Sequence, residues 1–461
     1  MKQKINTRNL ILDILLEINE NGGFTHIVLS DALKKYQYLS SQDRGFVSQV
    51  VRGSVERRIT LDYIIDSYSS VKVAKMKPVI RNVLRMSVYQ IMYLDGVKDY
   101  ATCDEAVKII VKRGFNNLRG FVNAVLRKIS SCKYDVVYPD MEDSIKYLSI
   151  MYSTPEWLVA KWVGMYGKGM VEAMLMSQFA TKPLTIRCNT SRIEPEDLYN
   201  RLKSQGITVR KSELLEEALE IADYDYLEKI PEFNDGLFFV QDISSMLVSH
   251  IAAPKSNAYV IDLCAAPGGK SMHMAEMLKG TGMVEARDVS PQKVQLIKDN
   301  IERLELENVA ATVKDATVKD EMSIGKADVV IADLPCSGLG IISKKPDIKY
   351  RVTPENVKSL SELQRKILKV SAEYVKSQGV LIYSTCTVTP EENEENVRWF
   401  LENFPFKLDS IDEYIPNEFK SNTTQQGYIQ LLPGVIRKYE NSEDEIIEGH
   451  DGFFIARFLR K

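Results

Sequence analysis

The sequence predicts a multidomain chain in which an all-α region is followed by a small α+β module and then by an α/β region built on a mostly parallel sheet. Three observations carry that prediction. Apolar side chains recur at helical spacing through about the first 135 residues, the pattern of one amphipathic helix after another. From Tyr259 onward, short β-branched runs alternate with helical patterns, as parallel strands covered by helices on both faces require. The stretch between them mixes the two periods. A length of 461 residues exceeds what one ordinary core organises, and the predicted divisions are 1–138, 139–242 and 243–461.

In the first region Leu10, Ile11, Ile14, Leu15 and Ile18 share one helical face, and Asn21-Gly22-Gly23 stops the helix. Ser41 to Tyr68 carries a long pattern broken near Arg58-Ile59-Thr60. Pro78 opens a helix that Asp95-Gly96 ends, and two more are expected around Cys103–Val111 and Leu118–Ile129. In the middle stretch, 155–166 and 194–205 read as helices, and 184–187, 207–209 and 237–240 as strands. The last region reads as strand 259–263, helix 269–279, strand 283–287, helix 291–304, strand 309–313, strand 327–332, helix 354–377, strand 379–384 and helix 391–403. Such sheets bind ligands at the carboxyl ends of their strands. The distinctive motifs all fall there.

Composition sets the class. With 44% hydrophobic and 27% charged residues the balance is that of a soluble globular protein. The formal net charge of −3 does not advertise nucleic-acid binding, so that case rests on local stretches. Nine Lys/Arg between Arg44 and Arg85 face only Glu56, Asp62 and Asp66, and seven between Ala106 and Tyr134 face no acid. Each stretch is either a solvated helix face or an RNA footprint. Six cysteines without a C-x-x-C pair and four scattered histidines predict neither a metal site nor a disulfide framework. Asp13 and Glu17 interrupt the apolar start, so no signal peptide is expected, and no run approaches the ~20 apolar residues of a membrane span. A cytoplasmic monomer is the expectation.

After the first strand of the last region comes Asp262-Leu263-Cys264-Ala265-Ala266-Pro267-Gly268-Gly269-Lys270. Small residues let backbone approach a ligand closely, and the turn delivers a helix N-terminus. It is not the G-x-G-x-x-G that a dinucleotide pyrophosphate needs, whereas S-adenosylmethionine carries no phosphate. Asp288, ending the second strand, suits two ribose hydroxyls. Asp315, after the third, suits an adenine amino group, and Asp262 lies toward the amino-acid end of the ligand.

The fourth strand ends in Asp333-Leu334-Pro335-Cys336-Ser337-Gly338 and the fifth in Ser384-Thr385-Cys386-Thr387. A lone buried cysteine is usually inert, but two at neighbouring strand ends beside a methyl-donor site suggest shared chemistry. Carbon 5 of cytosine is a poor nucleophile until a thiolate adds to carbon 6. A carboxyl group at N3, a role suited to Asp333, eases that addition. A second thiol suits the elimination that follows. Spacing does not say which cysteine attacks.

Together Asp262–Lys270, Asp333–Gly338, Thr385-Cys386 and Pro390-Glu391-Glu392-Asn393 resemble the RNA cytosine-C5 methyltransferase family. The resemblance implies a Rossmann-like methyltransferase domain, Cys386 as nucleophile, Cys336 as the group that helps release product, and Asp333 as a third catalytic residue. It also implies S-adenosylmethionine as cofactor, held by Cys264, Ala265, Ala266, Pro267, Gly268, Gly269, Lys270, Asp288, Asp315 and Asp333. Lys344-Lys345-Pro346-Asp347 is similar to the family's basic substrate loop, and 452–456 to its closing strand. Gln42–Val47 and Arg119–Arg127 resemble a NusB-type RNA-binding domain, and the middle module a family region that helps hold RNA. That combination is similar to the family's bacterial ribosomal members, which implies 16S rRNA or a small-subunit assembly intermediate as partner. Two departures stand out: Leu334, and Arg287, which is expected either to depress the pKa of Asp288 or to compete for its carboxylate.

Two other readings remain open at this point. A DNA cytosine methyltransferase would make Cys336 the nucleophile and leave Cys386 unexplained. A non-catalytic ribosome-assembly or antitermination factor would carry the methyltransferase fold silently. Whether RNA receives methyl from labelled S-adenosylmethionine separates them.

Overall fold

A computed structural model describes residues 6–180, 182–433 and 450–461. The chain forms two compact units, Met1–Phe179 with Ile342–Arg351, and Ala180–Ile341 with Val352–Lys461.

The first unit opens with seven helices: α1 (Thr7–Asn19), α2 (Thr25–Lys35), α3 (Ser41–Glu56), α4 (Arg58–Tyr68), α5 (Pro78–Tyr93), α6 (Asp99–Lys112) and α7 (Arg119–Ser131). Their starts follow capping chemistry: Asn6 and Ser40 accept from the Asn9 and Asp43 amides, and Pro78 sits at the first position of α5. The predicted break near Arg58 is real, because Arg57 leaves helical geometry between α3 and α4. The central helix, α5, is buried from Val83 to Ile91. Gly53 lets α3 approach it, since a Cβ there would lie 2.0 Å from the Tyr89 ring. Three further helices follow, α8 (Ser144–Met151), α9 (Glu156–Tyr166) and α10 (Lys168–Ser177).

The two basic stretches have different fates. Arg85 makes a two-pronged ion pair with Asp62 at 2.6 and 2.7 Å, and Arg81 pairs with Glu20. The first stretch thus spends cations inside the unit. In the second, Lys108, Lys112, Arg119, Arg127 and Lys128 are exposed on α6 and α7. In the segment after the Pro-Cys motif Lys344 is exposed, whereas Lys349 is buried and donates to Gln178 Oε1 at 2.8 Å, and the Tyr350 hydroxyl donates to Glu56 O at 2.9 Å. Burial lowers Lys349 to a pKa of about 7. Residues 342–351 pack as part of the helical unit.

The second unit begins with a four-stranded antiparallel sheet. Its strands are β1 (Leu184–Cys188), β2 (Thr208–Lys211), β3 (Ala218–Ala222) and β4 (Phe238–Val240), in the order β2-β3-β1-β4, with α11 (Pro195–Ser204) and the short α12 (Pro231–Asn234). Leu198, Leu202, Ile186, Leu219 and Phe238 form its core. Next come α13 (Ile243–Ala252), β5 (Tyr259–Asp262), α14 (Gly269–Met277), β6 (Met283–Asp288), α15 (Pro291–Leu304), β7 (Val309–Val313) and β8 (Ala327–Asp333). After α16 (Ile348–Arg351), which belongs to the helical unit, the chain continues with α17 (Pro354–Tyr374), β9 (Val375–Thr385), α18 (Glu394–Asn403), β10 (Phe406–Leu408), α19 (Asn422–Gln426), β11 (Tyr428–Leu431) and β12 (Phe453–Arg460).

The large sheet runs β10-β12-β9-β8-β5-β6-β7, with β11 also on β12. Strands β5 to β9 are parallel and β12 is antiparallel to β9. The central strands β5 and β8 and the second half of β9 are mostly buried, as strands covered on both faces require. The chain goes outward from β5 in both directions, so β5 and β8 flank the point where strand order reverses. Among the described residues no helix is long and apolar enough to cross a membrane.

Candidate active site

Register brings the reactive motifs together. Strands β8 and β9 pair in parallel with Asp333 opposite Ser384, so the Pro335-Cys336 and Thr385-Cys386 turns leave the sheet side by side. The two thiols end 3.2 Å apart, Sγ to Sγ. Asp333 is clamped from two sides: Ser384 Oγ donates to Oδ1 at 2.8 Å and Lys270 Nζ to Oδ2 at 2.7 Å. Burial works against the charge on Lys270, but the charge and hydrogen bond of Asp333 outweigh it and the ammonium pKa rises. The Cys336 thiol is held protonated, first by its hydrogen bond to Cys386, then by burial.

A buried polar network fixes the two turns. The carboxylate of Glu392, wholly buried, accepts from Ser337 N (2.8 Å), Ser337 Oγ (2.5 Å), Thr389 Oγ1 (2.7 Å) and Gln364 Nε2 (3.0 Å). Gln364 also donates to Pro335 O, which ties α17 to the Cys336 turn. Asn393 accepts from Thr385 Oγ1 at 2.6 Å and donates to Thr387 O at 3.2 Å. The Pro390–Asn393 motif is thus an organising device beneath the two cysteines. Gly340 donates to Cys386 O at 3.0 Å, and a Cβ on Gly340 would lie 1.9 Å from Gly452 O, so only glycine lets these segments approach.

The Cys264–Lys270 loop leaves β5 and enters α14 through Gly268, whose φ of 109° suits glycine alone. Asp288 is buried at the end of β6, and its Oδ1 accepts from Ser290 N at 3.2 Å. Asp315 lies at the surface, its pKa lowered by hydrogen bonds from the Thr317 hydroxyl and amide. A cavity of about 340 Å³ lies beside it, lined also by Leu263, Ala316, Val318 and Tyr374. Arg287 does not compete for Asp288. Strand alternation turns it to the opposite face, where it donates to Glu285 Oε2 and Ser323 Oγ, each at 2.6 Å. Sequence reasoning missed Ser384 as a partner of Asp333, and it missed Val289, which is exposed beside Asp288.

Asp262 has a consequence for stability. It is buried, Oδ2 accepts from Ser271 Oγ at 2.6 Å, Oδ1 has no partner, and burial raises its pKa to about 7. Between about pH 4 and pH 7 the folded protein therefore holds a proton that the unfolded chain has released. The associated stability is complete below the ordinary carboxylate range and is lost as pH rises through 7. Asp262→Asn is expected to gain on the wild type by about 4 kcal/mol between pH 4 and pH 8 in denaturant titrations, as a shift from 3.8 to about 7 requires. A difference that stays flat over that range would count against a neutral buried Asp262.

Three family models match the chain: the NusB family at 5–131, a ferredoxin-like domain of RsmF/B-like methyltransferases at 154–224, and the 16S rRNA methyltransferase RsmB/F at 249–459. The probable ribosomal RNA small subunit methyltransferase B of Bacillus subtilis (strain 168) is 34% identical over the whole of both chains. The corresponding protein of Synechocystis sp. is 30% identical over 99% of this chain and all of its own. The crystal structure of PH0851 superposes with a TM-score of 0.80 at 27% identity, covering both chains fully. A relative this similar along its whole length shows the family, and the chain belongs to the ribosomal RNA small subunit methyltransferase B family of RNA methyltransferases.

Proposed function

We propose that the protein transfers a methyl group from S-adenosylmethionine to carbon 5 of a cytosine in 16S rRNA, with Cys386 as the covalent nucleophile. The observation that carries this reading is the pair of thiols 3.2 Å apart beside a lysine-clamped Asp333. Methylation of an amine or a hydroxyl calls for neither thiol, whereas addition and elimination at a pyrimidine ring call for both.

The residues at the strand ends fit the cofactor. Buried Asp288 offers an acceptor for ribose hydroxyls, exposed Val289 an apolar face for adenine, Asp315 an acceptor for its amino group, and the Cys264–Lys270 loop close backbone approach. When bound, S-adenosylmethionine supplies an electrophilic methyl group. The remaining work belongs to the chain. The Cys386 thiolate forms a bond to carbon 6, and the ring π pair shifts to carbon 5. As the ring takes on that charge, N3 takes up a proton from solvent and donates it in a hydrogen bond to the Asp333 carboxylate, which Lys270 and Ser384 hold in place. Once carbon 5 carries its methyl, its proton leaves, the C5–H pair restores the ring double bond, and the pair of the carbon–sulfur bond returns to Cys386. Cys336 relays that proton, releasing its own to solvent as it takes up the one from carbon 5.

The exposed Lys108, Lys112, Arg119, Arg127 and Lys128 supply the RNA-facing surface of the helical unit. The target cytosine must be unpaired or flipped, because a side chain does not reach carbon 6 in a stacked helix. The test is transfer of labelled methyl to 16S rRNA or small-subunit particles, with bisulfite sequencing of the product. One new bisulfite-resistant cytosine is expected. Label on an adenine or on ribose would overturn the reading.

A further inference from the structure

Two of the four histidines scattered through the sequence meet in the fold. His250 on α13 and His273 on α14 stand with ring centroids 5.3 Å apart, and Glu217, immediately before β3, lies against both. Glu217 Oε1 is 2.6 Å from His250 Nε2 and 3.7 Å from His273 Nε2. One ligand atom from each residue falls within 4.8 Å of the other two, the one such trio among the described residues.

His273 is the unusual member. Its side chain is 5% exposed, yet its Nδ1 has no partner and its Nε2 stands too far from Glu217 for a hydrogen bond. Burying an imidazole without hydrogen bonds is costly. A cation on the Nε2 lone pair would give that nitrogen a partner and leave Nδ1–H as the ring's one unpartnered group.

The local charges also favour a cation. Arg187 is the obvious competitor for Glu217, but it is engaged elsewhere. Its guanidinium donates to both oxygens of Glu276, at 2.6 and 3.2 Å, and to Gly269 O at 3.0 Å. One carboxylate and two imidazoles therefore remain with no fixed cation among them.

We propose that Glu217, His250 and His273 bind a divalent transition-metal ion of the zinc class. Two imidazole nitrogens and one carboxylate oxygen make a standard three-ligand set for zinc, with a fourth position for water on the half-exposed His250 side. Magnesium and calcium would require more oxygen ligands than the trio provides. The ion replaces the proton shared between Glu217 and His250, and the trio then opens toward the ~2 Å bonds of zinc. Its position joins the small sheet to α14, the helix that begins in the Cys264–Lys270 loop.

The test uses the full-length protein stripped with chelator and titrated with Co²⁺ and then Zn²⁺, followed by visible absorption and by thermal unfolding. One Co²⁺ per chain is expected, with ligand-field bands of nitrogen and oxygen donors and no sulfur charge-transfer band. Zinc should displace it and raise Tm. Glu217→Gln and His250→Gln, at partly exposed positions, should each weaken binding by about 100-fold or more, the upper end of what losing even an outer-shell partner costs. The Cys336→Ala, Cys386→Ala double variant should still bind. Binding that survives Glu217→Gln and His250→Gln, a sulfur charge-transfer band that disappears with the two cysteines, or no stoichiometric binding would each overturn the proposal.

Discussion

Replacing Cys386 by alanine is expected to lower methyl transfer by about 10⁴-fold or more and to abolish any covalent protein–RNA complex, since loss of a nucleophile removes the whole covalent route. Replacing Cys336 by alanine should act differently. The attacking thiol remains, so the bond to carbon 6 still forms, but the elimination that frees the product loses its partner. A protein–RNA band that survives denaturing electrophoresis should accumulate, while turnover falls. The physical basis for the asymmetry is the hydrogen bond between the thiols. Cys336 is held protonated by Cys386 and by burial. Lys270→Met should weaken adduct formation in the Cys336→Ala background, because it removes one of the two clamps on Asp333.

The second large effect concerns stability. Glu392→Ala leaves the Ser337 amide and the Ser337, Thr389 and Gln364 side chains without their shared acceptor, in a site closed to water. Stranding buried donors of a charged network costs about 3–5 kcal/mol, a large share of the ~5–15 kcal/mol that keeps a protein folded. Thermal unfolding should show a Tm lower by about 10 °C. The loss should be accompanied by slower adduct formation in the Cys336→Ala background, because the same carboxylate fixes the Cys336 turn. A Tm within a degree or two of wild type would show that Glu392 does not hold the two turns together.

Much of this architecture was legible in the sequence because its signals are local. The face Leu10–Ile18, the break at Arg57, Pro78 at a helix start and the alternation from Tyr259 onward are each set by neighbours in the chain. Strand β3 was not legible. Its surroundings, Leu214 to Ala222, are rich in Leu, Glu and Ala, which favour helices, and only pairing with β1 and β2 makes it extended. Helix α13 was missed as well, since ten residues mixing serine with branched side chains show no decisive period. The candidate site divides along the same line. The motifs at strand ends could be read, but the register that sets Asp333 against Ser384, the Lys270 clamp and the face to which Arg287 turns are tertiary facts. Glu217, His250 and His273 come from three elements without metal-ligand spacing, so only the fold gathers them.

The account rests most heavily on Cys386 as the attacking group. Its most direct test is mass spectrometry of the trapped complex formed by the Cys336→Ala variant with 16S rRNA and S-adenosylmethionine, after nuclease and protease digestion. The account predicts a methylated cytidine on the peptide containing Cys386, and no such adduct from Cys386→Ala. A cytidine adduct on any other residue, or an undiminished adduct from Cys386→Ala, would contradict it.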